Sequence, residues 1–195
     1  MSKQRVTEIL KSCDALLEGH FKYTSGRHGQ QYFEKIRIAR EPEFVDELGR
    51  MMASIMSGRK NEIDLVCAPA FGAIVFGFAT ALHLRKSFVF LQRDADGQMT
   101  VRQGFRDLVD GSRILLVEDV ATTGGSIIES IEALVSLGGT VEKVCLIVDR
   151  TGGTLEFGVP YEALLTVQSQ SWSPEECPLC ARGIPISTPG SSNKK

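Results

Sequence analysis

Two adjacent carboxylates followed by a loop of small residues have the types and spacing needed for chemistry in this 195-residue chain. Glu118 and Asp119 follow the apolar run 114–117, and the loop 121–126 (ATTGGS) leads into a helical pattern that begins at Ile127. In open α/β sheets, ligands bind at the carboxyl ends of the strands. The first turn of a helix offers unpaired amides and the positive end of its dipole. The segment therefore predicts an anion site with two acids beside it.

The chemistry of the loop narrows the ligand to a sugar phosphate. Gly124 and Gly125 let the backbone approach an anion closely, and the hydroxyls of Thr122, Thr123 and Ser126 add donors. Carboxylates accept hydrogen bonds from hydroxyl groups, so the ligand is expected to carry hydroxyl groups as well as a phosphate. The sequence contains neither G-x-x-x-x-G-K-[ST] nor G-x-G-x-x-G, which disfavours a P-loop or a dinucleotide site. The alternative interpretation is a solvated strand end followed by a plain helix start.

The elements that position these residues have an alternating pattern. Short continuous apolar runs lie at 63–67, 88–91, 114–117 and 144–148, and helical patterns lie at 72–84 and 127–137. This alternation indicates βαβ units, and continuous runs are typical of strands covered on both faces. The predicted fold class is α/β, an open mostly parallel sheet flanked by helices.

The N-terminal third has a different pattern. Helical spacing predicts a helix over 3–18 that stops at Gly19, and a second helix over 43–57 with Pro42 in its first turn. Between them, the extended stretches 20–24 and 31–38 predict a small hairpin appendage. The polar segment 93–104 is either a flexible loop or a hairpin excursion. We expect one domain over 1–190 and a disordered tail over 191–195.

Composition limits the partners and the compartment. The net charge of -2 gives no global basic field for nucleic acid, and no apolar run approaches the roughly 20 residues of a membrane span. The N-terminus lacks a signal-peptide core, and the odd count of five cysteines favours reduced thiols in a cytoplasm. Cys177 and Cys180 have the spacing of half a zinc site, but the pair supplies only two of the usual four ligands. A zinc site shared across a dimer, a redox pair and no special role stay open as alternatives. The scattered His20, His28 and His83 are interpreted as packing or surface residues.

Several motifs resemble those of one enzyme family. Residues 116–126 (LVEDVATTGGS) resemble the phosphoribosyl diphosphate signature of the type I phosphoribosyltransferases. Further segments resemble the orotate branch of that family: 19–28 (GHFKYTSGRH), 68–74 (APAFGAI), 148–150 (VDR), 172–180 (WSPEECPLC) and 183–185 (GIP). The last two resemble a bacterial and archaeal subgroup, so the resemblance spans nearly the whole chain.

The resemblance implies an activity, a fold and partners. It implies transfer of ribose 5-phosphate from phosphoribosyl diphosphate to orotate, which gives orotidine 5′-phosphate and pyrophosphate in pyrimidine (UMP) biosynthesis. It implies a type I phosphoribosyltransferase-like sheet with a hood made from about 19–40 and the C-terminal segment. It also implies a cytoplasmic homodimer and a Mg²⁺ cofactor held mainly by substrate rather than by a protein metal site. Association with the decarboxylase of the next step stays open.

The resemblance also assigns site residues by position. Glu118 and Asp119 would hold the ribose hydroxyls and act in catalysis together with Arg93, which opens the mobile loop 93–104 that closes over pyrophosphate. Arg150 would bind orotate. The other phosphoribosyl diphosphate contacts would be Val120, Ala121, Thr122, Thr123, Gly124, Gly125 and Ser126, and the other orotate contacts Thr122 and the backbone at Tyr32 and Phe33.

Departures from the family pattern leave one role open. Asp94, Thr24 and Phe71 stand where many members carry basic residues, so the cation that neutralises the leaving pyrophosphate is not assigned. The candidates are Arg93, Arg102, Arg106, Lys22, Arg27 and His28.

Two rival functions remain. One is a phosphoribosyltransferase acting on a purine or uracil. The other is a transcription or RNA-binding regulator that keeps the sugar-phosphate site without chemistry. A regulator is expected to add a helix-turn-helix domain or a basic face, and neither is evident in the sequence.

Overall fold

The core of the molecule is a six-stranded sheet, seen in a computed structural model that describes residues 3–23 and 25–188. Its strands are β3 (Leu65–Pro69), β4 (Ser87–Arg93), β5 (Met99–Val101), β6 (Arg113–Ala121), β7 (Thr140–Asp149) and β8 (Tyr161–Thr166), with β1 and β2 in a separate sheet. The spatial order is β5-β4-β3-β6-β7-β8, and every neighbouring pair is parallel except β4 with β5. The predicted mostly parallel α/β sheet is confirmed.

Helices cover both faces of this sheet. They are α1 (Lys3–Ser12), α2 (Pro42–Ile55), α3 (Ile74–Leu84), α4 (Gly125–Val135) and the short α5 (Pro178–Ala181). Alternate residues of β6 enter opposite cores: Leu115 and Val117 pack with α1, α2 and α3, whereas Ile114 and Leu116 pack with α4. Strands buried on both faces explain the continuous apolar runs of the sequence. No helix within the described ranges is long and apolar enough to cross a membrane.

A three-stranded hood sheet lies apart from the main sheet. It consists of β1 (Leu16–Lys22), β2 (His28–Phe33) and β9 (Ser171–Trp172), all antiparallel. An isolated bridge joins Phe21 to Ser187, so the C-terminal segment completes the hood as predicted.

The predicted first helix is wrong in its second half. It ends at Ser12, and Leu16 already belongs to β1, where Gly19 is a strand residue rather than a helix stop. The chain turns at Asp14, whose φ is 53°, and the Ala15 amide donates to the Leu10 carbonyl at 2.7 Å. Leu16 and Leu17 fit the spacing of a helix and the pattern of a strand equally well. The turn at Asp14 ends the helix before them and places them in β1.

The structure corrects the prediction for the stretch 31–38 and selects one of the two alternatives for the segment 93–104. The second extended stretch ends at Phe33 rather than residue 38, and a 3-10 helix follows over Lys35–Arg40. The segment 93–104 takes the hairpin alternative, because β4 pairs with β5 through a turn in which Asp94 Oδ1 accepts the amides of Asp96 and Gln98. The predicted tail, 191–195, lies outside the described residues.

Candidate active site

A cleft of about 730 Å³ lies between the carboxyl ends of the central strands and the hood sheet. Its lining combines the hood with the loops after β6 and β7: Tyr23, Ser25, Tyr32, Phe33, Lys35, Val120, Thr122, Thr123, Ser126, Arg150, Ser169 and Ser171. Residues that the sequence predicted to bind phosphoribosyl diphosphate and residues that it predicted to bind orotate therefore line the same cleft.

The paired acids lie next to this cleft and contact residues that line it. Glu118 is 5% exposed and Asp119 is fully buried at the end of β6. Glu118 Oε1 accepts the Asp119 amide at 2.9 Å, and Oε2 accepts the Ser126 hydroxyl at 3.1 Å. The acids thus tie the strand end to the start of α4, and the interpretation as a solvated strand end is wrong.

Burial and mutual repulsion change the protonation of the pair. Burial and the neighbouring charge of Asp119 raise the pKa of Glu118 to about 8. Two close carboxylates in a dry site resist double ionisation. The ligand-free chain therefore favours the protonated form of Glu118.

Lys35 is the site residue that the sequence analysis missed. Its ammonium donates to Asp119 Oδ1 at 2.9 Å. Burial works to lower the pKa of Lys35, but the attraction of Asp119 outweighs it and the pKa is raised, so Lys35 stays charged. Its position two residues after Phe33, a predicted contact of orotate, could have indicated Lys35. The sequence analysis instead placed Lys35 inside an extended stretch that continued to residue 38.

The second oxygen of Asp119, Oδ2, is buried and has no hydrogen-bond partner in the ranges 3–23 and 25–188. A Cβ on Gly72, in the loop after β3, would lie 2.1 Å from this oxygen. The absence of a side chain at Gly72 therefore allows this loop to pack closely against the carboxylate. The cis peptide bond between Ala70 and Phe71 lies in the same loop. A buried, unpaired acceptor is costly unless something fills it.

The loop before α4 has the shape of an anion cradle. Gly124 caps the helix with a φ of 82°, and the amides of Ile127 and Ile128 bond to its carbonyl, which leaves the preceding amides as the unpaired helix start. A Cβ on Gly124 would collide with Phe157 at 2.6 Å, whereas a Cβ on Gly125 meets only Thr123 Oγ1, at 3.8 Å. The space beside Gly125 is thus open on the protein side.

Arg150 stands on the hood side of the cleft. Its guanidinium carbon lies 5.3 Å from the ring centroid of Tyr23 and 5.1 Å from that of Phe33. Nη2 donates to the Tyr23 hydroxyl at 3.2 Å and Nε to Ser169 Oγ at 3.1 Å. The neighbouring Asp149 accepts hydrogen bonds from residues 151, 153 and 161 instead. Aromatic rings and two hydrogen bonds therefore fix the guanidinium in place.

Arg93 is not brought to this cleft. It donates to Glu129 Oε2 on α4 at 2.5 Å and to the Gly97 carbonyl in its own hairpin. Its catalytic role stays a prediction. Among the other candidate cations, Arg27 binds Ser171 and so holds β9 to the hood, and His28 is buried against His20. Within the ranges 3–23 and 25–188, the cationic side chains that line the cleft are those of Lys35 and Arg150.

Comparisons with known proteins identify the family. The phosphoribosyl transferase domain model matches residues 36–177. The chain is 40% identical to an orotate phosphoribosyltransferase of Thermotoga maritima over 97% of this chain and 100% of that one. It is 43% identical to the enzyme of that name from Carboxydothermus hydrogenoformans over 91% and 92% of the two chains. The crystal structure of orotate phosphoribosyltransferase from Aeropyrum pernix superposes with a TM-score of 0.69 at 27% identity, covering 84% of this chain and 94% of that one. The chain belongs to the orotate phosphoribosyltransferase family.

Proposed function

We propose that this chain transfers ribose 5-phosphate from phosphoribosyl diphosphate to orotate, releasing pyrophosphate and forming orotidine 5′-phosphate for pyrimidine biosynthesis. One observation carries the proposal: a single cleft is lined by a fixed arginine, by hydroxyl residues of an open anion loop and by Lys35, which pairs with the buried Asp119. The arginine suits orotate, whose ring carries a carboxylate. The acids and the anion loop suit phosphoribosyl diphosphate, which carries hydroxyls and phosphates.

The sugar-phosphate half would use the loop and the acids. The 5′-phosphate would sit at the start of α4 over Gly125, with hydroxyls from Thr122, Thr123 and Ser126. A ribose hydroxyl would donate to Asp119 Oδ2, the buried oxygen that lacks a partner in the described chain. Positive charge develops on the ribose in an oxocarbenium-like transition state, and the adjacent carboxylates would stabilise it.

The orotate half would use Arg150 and the hood. A guanidinium carries five N–H donors, and the described contacts of Arg150 engage only Nε and Nη2. The others would bind the acceptors of orotate, whose carboxylate fits a fork of donors. The backbone of Tyr32 and Phe33, at the end of β2, would contact the ring.

The leaving pyrophosphate requires cations. We assign Lys35 to this role in addition to the predicted Arg93, because Lys35 is charged and lies at the acids in the cleft. When a ribose hydroxyl binds Asp119, the ammonium can turn toward the diphosphate. Arg93 would join when the β4–β5 hairpin moves and its pair with Glu129 opens.

Magnesium would enter with the diphosphate rather than bind a protein cage. The donor set of the cleft fits this, since Asp119 Oδ2 can accept from a metal-bound water, and Mg²⁺ keeps several waters. Bound Mg²⁺ neutralises the charge that develops on pyrophosphate.

We further propose that the chain acts as a cytoplasmic homodimer. An apolar surface on α3 and β4 exposes Phe78 by 59% and Leu82 by 62% and borders a groove of about 550 Å³. Exposed apolar patches of this kind mark protein interfaces, and a second copy would cover it. The expected domain over 1–190 would be the catalytic unit of each protomer.

A pyrophosphate-release assay tests the activity. The purified chain with Mg²⁺ and phosphoribosyl diphosphate should release pyrophosphate when orotate is added, and the Asp119→Asn variant should be slower at unchanged circular dichroism. Uracil, adenine and guanine serve as competing acceptors. Turnover with one of these in place of orotate would replace the proposal, and no turnover with any base would favour the regulator.

A further inference from the structure

Four metal-ligating side chains meet between the hood strands and α5. His20 lies in β1, His28 begins β2, Cys177 directly precedes α5 and Cys180 lies within it. One potential ligand atom from each residue lies within 4.8 Å of all the others. The two cysteines that could only supply half of a site in the sequence gain two histidines from about 150 positions earlier in the chain.

The spacing of these atoms fits one tetrahedral ion. His20 Nε2 lies 3.1 Å from His28 Nδ1, 3.5 Å from Cys177 Sγ and 3.7 Å from Cys180 Sγ, and Cys180 Sγ lies 3.2 Å from His28 Nδ1. Bond lengths of Zn²⁺ to nitrogen and sulfur imply tetrahedral edges of about 3.3 to 3.8 Å. The four atoms therefore already surround a volume of the right size.

Hydrogen bonding alone gives a poor account of the cluster. The carbonyl of Ile184 lies 2.7 Å from His20 Nδ1, which must then carry the proton and leave Nε2 as an acceptor with one lone pair. That lone pair faces three neighbours at once: the His28 ring and both thiols. A cation at the centre satisfies all four atoms together, and the carbonyl acts as the outer partner that orients a metal-bound histidine.

Burial and coordination number point to a structural site. His20, His28 and Cys177 are 2%, 4% and 2% exposed, whereas Cys180 borders solvent and gives the ion a route of entry. Four protein ligands leave no open position for a substrate, which distinguishes a structural zinc site from a catalytic one.

We propose that this chain binds one structural Zn²⁺ through His20, His28, Cys177 and Cys180. Binding would release two thiol protons, since the metal takes both cysteines as thiolates. The ion would fasten the C-terminal segment to β1, which Tyr23 follows, and to β2, which ends at Phe33. It is separate from the magnesium that accompanies substrate.

Metal analysis of the full chain tests the proposal. Chain expressed with added zinc and freed of loosely bound metal should contain one zinc per protomer by mass spectrometry of the elements. The Cys177→Ser/Cys180→Ser double variant should lose it, whereas Cys13→Ser, which alters another buried free thiol, should keep it. The measurement does not depend on turnover, so its failure and a failure of the proposed activity are distinguishable.

A spectroscopic measurement on the unaltered chain protects the test against misfolded variants. Metal-free chain titrated with Co²⁺ should develop the visible bands of a tetrahedral site with thiolate ligands, saturating at one equivalent. Zn²⁺ should then displace the Co²⁺ and raise the midpoint of thermal unfolding. Zinc below one tenth of an equivalent together with a featureless Co²⁺ titration would overturn the proposal, as would a Cys177–Cys180 disulfide in the freshly purified chain.

Discussion

Arg150 should decide which base the cleft accepts. Removing a charged partner from a desolvated pocket costs roughly 2–5 kcal/mol of binding, so Arg150→Ala should weaken orotate affinity by about thirtyfold to several thousandfold. Arg150→Lys should fall between, because an ammonium keeps the charge but loses the planar fork. Two calorimetric titrations per variant, with orotate and with phosphoribosyl diphosphate, give the comparison. Equal losses for the two substrates would contradict a specific role in base binding.

The protonation of Glu118 should appear in the stability of the ligand-free chain. Its pKa is about 8 in the folded chain against an ordinary value of 4.5. Between those values the folded state binds more protons than the unfolded state, so the free energy of unfolding contributed by this group falls as pH rises. Glu118→Gln should remove that decline from about pH 5 to pH 8 in denaturant titrations.

A matched variant separates Glu118 from other carboxylates. Glu129→Gln alters an exposed glutamate and should leave the pH dependence of stability as in the original chain. If Glu118→Gln and the original chain decline in parallel, the shifted pKa of Glu118 is not the cause.

At the scale of elements, the start of α4 should set the affinity for phosphoribosyl diphosphate. A side chain at Gly125 meets open space, so Gly125→Ala and Gly125→Val should both fold. Valine should fill the phosphate position and weaken binding tenfold or more, roughly 1.4 kcal/mol, with alanine in between. Calorimetry in the presence of Mg²⁺ measures this order. An unchanged dissociation constant for the valine variant would remove the loop from the phosphate site.

The β4–β5 hairpin should contribute to turnover through Arg93. Arg93→Ala should lower kcat on the order of a hundredfold, as for loss of one preorganised charge in a transition state, with a smaller effect on substrate binding. Glu129→Gln breaks the same ion pair from the other side and should keep kcat near that of the original chain, because it frees Arg93. Single-turnover kinetics distinguish the two. Wild-type kcat for Arg93→Ala would leave Lys35 as the principal cation.

The sequence predicted those elements whose residue pattern fits only one type of secondary structure. Short continuous apolar runs that alternate with helical patterns indicated buried parallel strands, and the acid pair with its loop followed one of these runs directly. The end of α1 could not be predicted, since Leu16 suits either period and only the turn at Asp14 settles it. Strand β8 was missed because its six residues alternate too weakly. Lys35 was missed because its direction depends on a 3-10 turn, and the His–Cys cluster because only the tertiary fold unites it.

For the whole molecule, the apolar surface on α3 should hold two copies together. Phe78→Glu places a charge at the centre of that surface and should weaken association by about 2 kcal/mol or more, near thirtyfold. Val135→Glu changes a similarly exposed residue on α4 and serves as the control. Sedimentation equilibrium gives the dimer dissociation constant of each variant. Unaltered association of Phe78→Glu would move the interface elsewhere.

The contacts between the hood and the C-terminal segment have a consequence for synthesis on the ribosome. His20 and the rings of Tyr23 and Phe33 are translated early, but the carbonyl of Ile184, 164 residues from His20, and the Ser187 amide that bonds to the His20 carbonyl are translated late. A nascent chain can form the parallel sheet and its acid pair before it can fix the side of the cleft that faces the base. The ability to hold orotate should therefore arise only after residue 187 has been translated, so that a chain interrupted before that point would bind sugar phosphate without being able to use it.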